Sequence, residues 1–158
     1  MNVTRDTGVA LMAAWLGAAT LTSASVAPAA FAALPSRTLA GDVVGRVLAV
    51  VFVSGIVLGA VCLFLNRRAT MTTRASLGVT VLACIVAQFV VNPQIAGIRA
   101  ELGGTGVDAL SLADPRRLQF GRLHGISVAL LGLAMISALV FVVLSLLAPQ
   151  RSPESVNG

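Results

Sequence analysis

The chain has 158 residues, of which 57% are hydrophobic and 11% charged, and its mean hydropathy is +0.94. No soluble domain of this size could hide that much apolar surface, so the class is a polytopic membrane protein. The net charge of +5 comes from eleven arginines with no lysine, and they flank apolar runs rather than clustering among aromatics; with 4% aromatic residues and no Tyr, nucleic acid is excluded as a partner.

The first apolar run, about 8–34, carries no charge and ends in "SVAPAAFAALPSR". Its A-x-A triplets fit either a signal-peptide cleavage site or a membrane helix turning back at the lipid surface. The run is longer than a signal core, and "TLTSASVAP" is too polar for one but suits a helix packed against protein. Small residues at Ala10, Ala14, Gly17, Ala18, Ala24 and Ala27 predict close approach of another helix. Pro28 predicts a kink near the end. Retention as a full span is the favoured reading.

The second span, about 43–65, has a seam of Gly41, Gly45, Leu48, Phe52, Gly55 and Gly59 at steps of three and four. It contains G-x-x-x-G twice, which predicts close packing, within the bundle or in a homodimer. The third span, about 75–98, is interrupted by Gln88, Asn92 and Pro93 and closes on "ELGGTG", whose glycines suit a helix C-cap. The fourth, about 118–148, is preceded by Asp114 as N-cap and Pro115 at the first helical position, so the helix itself begins near 115. Residues 1–148 read as one all-α domain, an antiparallel four-helix transmembrane bundle, and 149–158 as a disordered polar tail. Cys62 and Cys84, both inside apolar runs, read as small core residues.

A serpentine of four helices brings the end of the first span, the start of the second, the end of the third and the start of the fourth to one membrane face. Nearly all the unusual residues lie there. Gln88, Asn92 and Arg99 form one stripe; Phe120, His124 and Ser127 form another; Arg37, Asp42 and Arg46 join from the first turn-back, the last two as an i,i+4 pair. Arg122 and Gly125 flank His124. The opposite face holds Arg67, Arg68 and Arg74 with no acid between them. Two readings of the polar face stand side by side. It is a structural lock, with Asn92 and Gln88 bonding across helices and Arg99 or Arg122 paired to Glu101, Asp108 or Asp114. Or it is a pocket of Arg37, Gln88, Asn92, Arg99, Arg122, His124 and Ser127 for a lipid headgroup or small anionic solute. Either way His124 and Asn92 are expected in one hydrogen-bonded network, with Arg99 or Arg122 at its rim. Gly41, Gly45, Gly55, Gly59 and Gly125 are the expected packing positions.

No nucleophile–base pair, paired carboxylates, P-loop or H-E-x-x-H is present, so an enzyme is disfavoured and no cofactor is expected. One histidine cannot make an intrachain bis-His haem site or a multi-His metal site, which leaves a haem- or metal-dependent redox protein as the weakest alternative. A structural accessory subunit of a larger membrane complex, or a homo-oligomer, is the other alternative. The abundance of Arg, Ala, Val and Gly suggests a GC-rich bacterial genome, hence the inner membrane. The short, acid-free 66–76 loop favours both termini in the cytoplasm.

Three segments, "FAALPSRTLAG", "NPQIAGIR" and "FGRLHGIS", resemble the four-span domain of eukaryotic transmembrane protein 205 and its bacterial relatives. The matching residues are Phe31, Leu34, Pro35, Thr38 and Gly41; Asn92 and Arg99, seven apart; and Phe120, Arg122, His124, Gly125 and Ser127. The resemblance covers roughly residues 10–145. It implies a retained first helix, with "PAAFAALPSR" as a turn-back, and it implies no activity.

Overall fold

A computed structural model describes residues 3–103 and 105–148. The expected polar tail at 149–158 lies outside the described residues. The fold is an all-α bundle of four helices long and apolar enough to cross a membrane: α1 (Val3–Ala33), α2 (Arg37–Leu65), α3 (Met71–Glu101) and α4 (Pro115–Leu147). Each is about 29–33 residues, and at about 1.5 Å rise per residue each exceeds the ~30 Å hydrocarbon core.

Local chemistry sets the ends. Pro35 forces Leu34 into an extended backbone and stops α1. Ser36 then caps α2, its hydroxyl accepting from Leu39 N at 3.1 Å. Asn66 closes α2 by donating to the Cys62 carbonyl at 3.0 Å. Thr70 caps α3 in the same way, through Thr73 N at 3.3 Å. Gly103 follows α3 with φ +54°, a left-handed conformation that glycine adopts without strain. Asp114 accepts from Arg116 N at 2.8 Å and Pro115 occupies the first turn of α4. A short 3-10 turn, Val107–Ala109, interrupts the connection between α3 and α4.

Both odd-numbered helices are broken in the same way. A five-residue π segment, Thr22–Val26 in α1 and Ala87–Val91 in α3, is followed by one residue and then by Pro28 or Pro93. A proline ring collides with the carbonyl four residues back, here Ala24 and Phe89, and each of these lies inside its π segment. The wider π turn accommodates the ring without ending the helix.

Neighbouring helices run antiparallel in a closed square: α1 and α3 each pack on both α2 and α4. The main core gathers Met12, Trp15, Phe52, Leu77, Cys84 and Phe141 from all four. Lipid tails are as apolar as these side chains, so close fit rather than water exclusion drives the association. The glycine seam of α2 supplies that fit. A Cβ on Gly55 would lie 2.8 Å from both the Cys84 sulfur and the Trp15 ring, and one on Gly59 would lie 2.6 Å from Val81. Trp15 donates its indole N–H to the Val51 carbonyl at 2.9 Å, and Thr80 reaches the Ala134 carbonyl at 3.3 Å. Both cysteines are buried and free.

Helix α1 departs from expectation in its inward face. Gly8, Met12, Trp15, Ala19 and Thr22 are buried, whereas Ala10, Ala14, Gly17, Ala18 and Ala24 point outward and Ala27 is only half-buried. The single large side chain of Trp15 sets the rotation, because it needs the space beside Gly55. The polar "TLTSASVAP" stretch is packed only in part: Thr22 is buried and the π segment touches α2, while Thr20, Ser23, Ala24 and Ser25 face outward. Thr20 and Ser23 satisfy their hydroxyls on the carbonyls of Leu16 and Ala19, at 2.8 and 2.9 Å.

Candidate functional site

The end of the bundle formed by the α1–α2 and α3–α4 connections carries most of the ion pairs. Arg99 sits at its centre. One guanidinium nitrogen donates to the Gly41 carbonyl and to Asp42 Oδ1, each at 3.1 Å, joining α3 to α2. The same guanidinium lies 5.6 Å from the centre of the Phe120 ring, on α4. A Cβ on Gly41 would stand 2.7 Å from Arg99 Nη2, so the glycine gives the guanidinium its place; Gly45 does so more loosely, at 3.4 Å. Beneath this staple Val91, Ile98 and Leu123 form a second, smaller core between α3 and α4.

Arg99 pairs with Asp42 and not with Glu101, Asp108 or Asp114, and Asp42 is thereby drawn away from the expected i,i+4 pair with Arg46. The loop acids have other partners. Asp108 lies 3.8 Å from Arg37 in an exposed pair, and Asp114 holds Arg116 at 3.0 Å as part of the helix cap. That interaction, chiefly the side-chain hydrogen bond from Arg116, holds the Asp114 carboxyl below its ordinary value of 3.8. Arg117 donates to the Leu110 carbonyl at 2.6 Å and the Asp108 carbonyl at 3.3 Å, pinning the loop to the start of α4.

The expected network joining Asn92 to His124 does not form among the described residues. Asn92 donates to Gln88 Oε1 at 3.0 Å, one turn back on its own helix, so both amides are occupied within α3 rather than across helices. His124 lies parallel to Phe120 with ring centres 6.3 Å apart and is exposed. Ser127 is buried on the inner face of α4. Arg122 and His124 are two residues apart, about 200° around a helix, so they diverge instead of lining one pocket. Gly125 is not a packing position within the bundle: it faces outward, and a Cβ there would meet nothing within 4 Å. Among the described residues Arg46 and Arg122 are exposed and have no acid within ion-pair distance, and no three His, Cys, Asp or Glu converge to hold a metal ion.

A second set of polar groups lies toward the other end and was not anticipated. Asn66, Thr73, Ser76, Thr80, Ser137 and Ser145 are all buried. Asn66, Ser76 and Thr80 bond to carbonyls of their own helix, Ser76 to Thr73 at 2.9 Å, and Thr73 pairs with the Thr70 hydroxyl at 2.8 Å. Ser145 Oγ alone has no hydrogen-bond partner among the buried side-chain atoms of the described residues. Their sequence signal is the spacing of Thr73, Ser76 and Thr80, at steps of three and four running from the polar first turn of α3 into the apolar run.

The family model for a Domain of unknown function (DUF4149) matches residues 10–103, well over half of the chain. The protein belongs to that family. The match takes in the DUF4149 portion of α1, all of α2 and α3, and with them Arg37, Gln88, Asn92 and Arg99; Arg122, His124 and Ser127 lie beyond it. No curated protein and no solved structure matches the chain at a significant level. The family assignment and the four apolar helices together make this DUF4149 member an integral, multi-pass membrane protein.

Proposed function

We propose that this protein is a bacterial inner-membrane member of the transmembrane protein 205-like group, and that its Arg-rich end holds anionic lipid headgroups. The observation that carries the reading is the division of labour among the arginines. Arg37, Arg99, Arg116 and Arg117 are committed to acids or carbonyls, while Arg46 and Arg122 stand exposed without an acid partner among the described residues. Both follow a glycine, in Gly45-Arg46 and Gly121-Arg122, within three turns of the start of α2 and α4. That depth corresponds to the headgroup layer, where a guanidinium meets phosphate. Arg99, which the sequence placed in the pocket, acts in this reading as the staple that keeps the end assembled. With both termini in the cytoplasm, this end faces the periplasm; a cysteine at Thr72 that reacts with an impermeant reagent in intact cells would reverse the orientation.

Native mass spectrometry in gentle detergent tests the headgroup reading. The protein is expected to retain phosphatidylglycerol in preference to phosphatidylcholine. An arginine near a membrane surface contributes about 1 kcal/mol toward anionic lipid, roughly a fivefold change in retention. Arg46→Ala and Arg122→Ala should each lower retention by about that factor and the double variant by more. Equal retention of both lipids by the wild type, or no change in the double variant, defeats the proposal.

A further inference from the structure

We propose that the seam between α1 and α4 is a groove that takes one acyl chain of a membrane phospholipid. This goes beyond the headgroup reading and does not depend on it. The chain contains a structural repetition. Helices α1 and α3 are each 31 residues long, each widens into a five-residue π segment, and each reaches a proline two positions later. Each is followed by a long helix bearing a Gly-Arg pair, Gly45-Arg46 or Gly121-Arg122. The bundle is therefore two similar hairpins, and its two seams between hairpins, α2–α3 and α4–α1, occupy corresponding positions. Paired interruptions in corresponding membrane helices point to a ligand site between the halves.

The two seams are not equally filled. Arg99, six residues past Pro93, closes the α2–α3 seam by reaching Gly41 and Asp42. The corresponding residue of α1, six past Pro28, is Leu34, which cannot make that staple. The π segment of α3 packs on both flanking helices, whereas that of α1 packs on α2. Along the α4–α1 seam the outward face of α1 forms a shallow, open groove of about 540 Å³, lined by Ala13, Leu16, Gly17, Leu21 and Ser25, with Val142 contributed by α4. Gly17 is exposed and a Cβ there would meet nothing within 4 Å, so a side chain at that position would stand in the groove itself.

The lining changes character along its length, and that change selects the occupant. The Ala13–Gly17 end is apolar; Thr20 and Ser25 bring hydroxyls further along α1. Antiparallel pairing, with Gly8 beside Phe141 and Arg5 bonded to the Ala148 carbonyl, places His124 near the level of Ala27, just past Ser25. His124 is 18 residues, about five turns, before Val142, so both project from the same face of α4. An apolar groove that runs in the membrane toward hydroxyls and an imidazole at the headgroup layer matches an amphiphile, with its chain in the groove and its ester and phosphate groups beside His124.

The test uses the full-length protein in vesicles of phosphatidylglycerol or of phosphatidylcholine. Each contains a trace of the same lipid with a diazirine in one acyl chain. After photolysis, the label is expected to concentrate on residues 13–25 and on the Val142 turn of α4, above the label on the equally exposed faces of α2 and α3. Gly17→Leu places a side chain in the groove without meeting another side chain, so it should cut the α1 label severalfold while the thermal unfolding midpoint is unchanged. Equal labelling from both vesicles, still concentrated at the groove, supports the acyl-chain site and counts only against the headgroup preference. Label spread over all outward faces in proportion to exposure overturns the proposal, as does an α1 label untouched by Gly17→Leu. A Gly17→Cys variant that forms disulfide-linked dimers in the membrane also overturns it, by showing a second copy in the seam.

Discussion

Replacing Arg99 by Ala removes three contacts at once: the hydrogen bond to the Gly41 carbonyl, the ion pair with Asp42, both at 3.1 Å, and the cationic contact with the Phe120 ring at 5.6 Å. Interhelical hydrogen bonds in membrane proteins average about 0.6 kcal/mol and reach about 1.7. An exposed ion pair adds roughly 0.2–1 kcal/mol, and a cation over an exposed ring adds about 0.5–1. These contributions share one guanidinium and do not sum fully, so the expected loss is about 1–2 kcal/mol, roughly a 5- to 30-fold change in the unfolding equilibrium. Unfolding in detergent micelles, followed by fluorescence of the single buried Trp15, measures it. Three companions sharpen the result. Asp42→Ala should lose little once Arg99 is gone. Gly41→Ala should destabilise the wild type, because its Cβ falls 2.7 Å from Arg99 Nη2, yet be tolerated beside Arg99→Ala. Asn92→Ala, whose amide partner is Gln88 on its own helix, should add independently. An Arg99→Ala variant as stable as the wild type, or one coupled to Asn92 as strongly as to Asp42, would refute the staple.

Gly55→Ala should cost about 1–3 kcal/mol by overpacking against Cys84 and Trp15, whereas Gly125→Ala, with open space around it, should be neutral or stabilise by about 0.5–1 kcal/mol through helix propensity; thermal unfolding separates the two. Thr80→Val keeps the shape of a fully buried side chain and removes its bonds to the Ser76 and Ala134 carbonyls, for an expected loss of about 0.6 kcal/mol in the same assay. The Asp114 carboxyl is lowered in the folded state, so its contribution is present above the ordinary value of 3.8 and disappears as pH falls through the lower folded value. Asp114→Asn keeps a capping side chain and loses the charge, so its stability relative to the wild type should be lower at neutral pH and converge on it in acid.

The bundle was legible because membrane helices announce themselves by length and apolarity, and because Asp114-Pro115 and the glycines after α3 mark ends by local stereochemistry. The spans as read started late on α2 and α3. Polar first turns such as Arg37-Thr38 and Met71-Thr72-Thr73-Arg74 fall below an apolarity threshold but are held helical by the Ser36 and Thr70 caps. The seam of α2 was visible as a period. The rotation of α1 was not, since outward alanines and inward alanines look alike and only Trp15 distinguishes them. At the polar end, the residues that gather could be read from helical spacing, but their pairing could not. Which acid meets Arg99 depends on the α3–α4 connection, whose course is set by Arg117 and by the Val107–Ala109 turn. The buried hydroxyls escaped notice because Ser and Thr inside an apolar run carry no charge to mark them.

Seven hydroxyls and amides at the spans bond within their own helices: Thr20 to Leu16, Ser23 to Ala19, Ser54 to Val51, Asn66 to Cys62, Ser76 to Thr73, Asn92 to Gln88 and Gln94 to Val90. A segment leaving the translocation machinery can therefore enter lipid with these groups already satisfied, before any neighbouring segment arrives. Biogenesis then divides into insertion of self-sufficient helices followed by their lateral assembly, in the manner of two-stage membrane folding. The second stage is directed by the notches at Gly55 and Gly59 and by one late electrostatic clasp. Defects in the notches should leave inserted but unassembled helices, whereas a proline or charge placed within a span should stop the chain at the membrane itself.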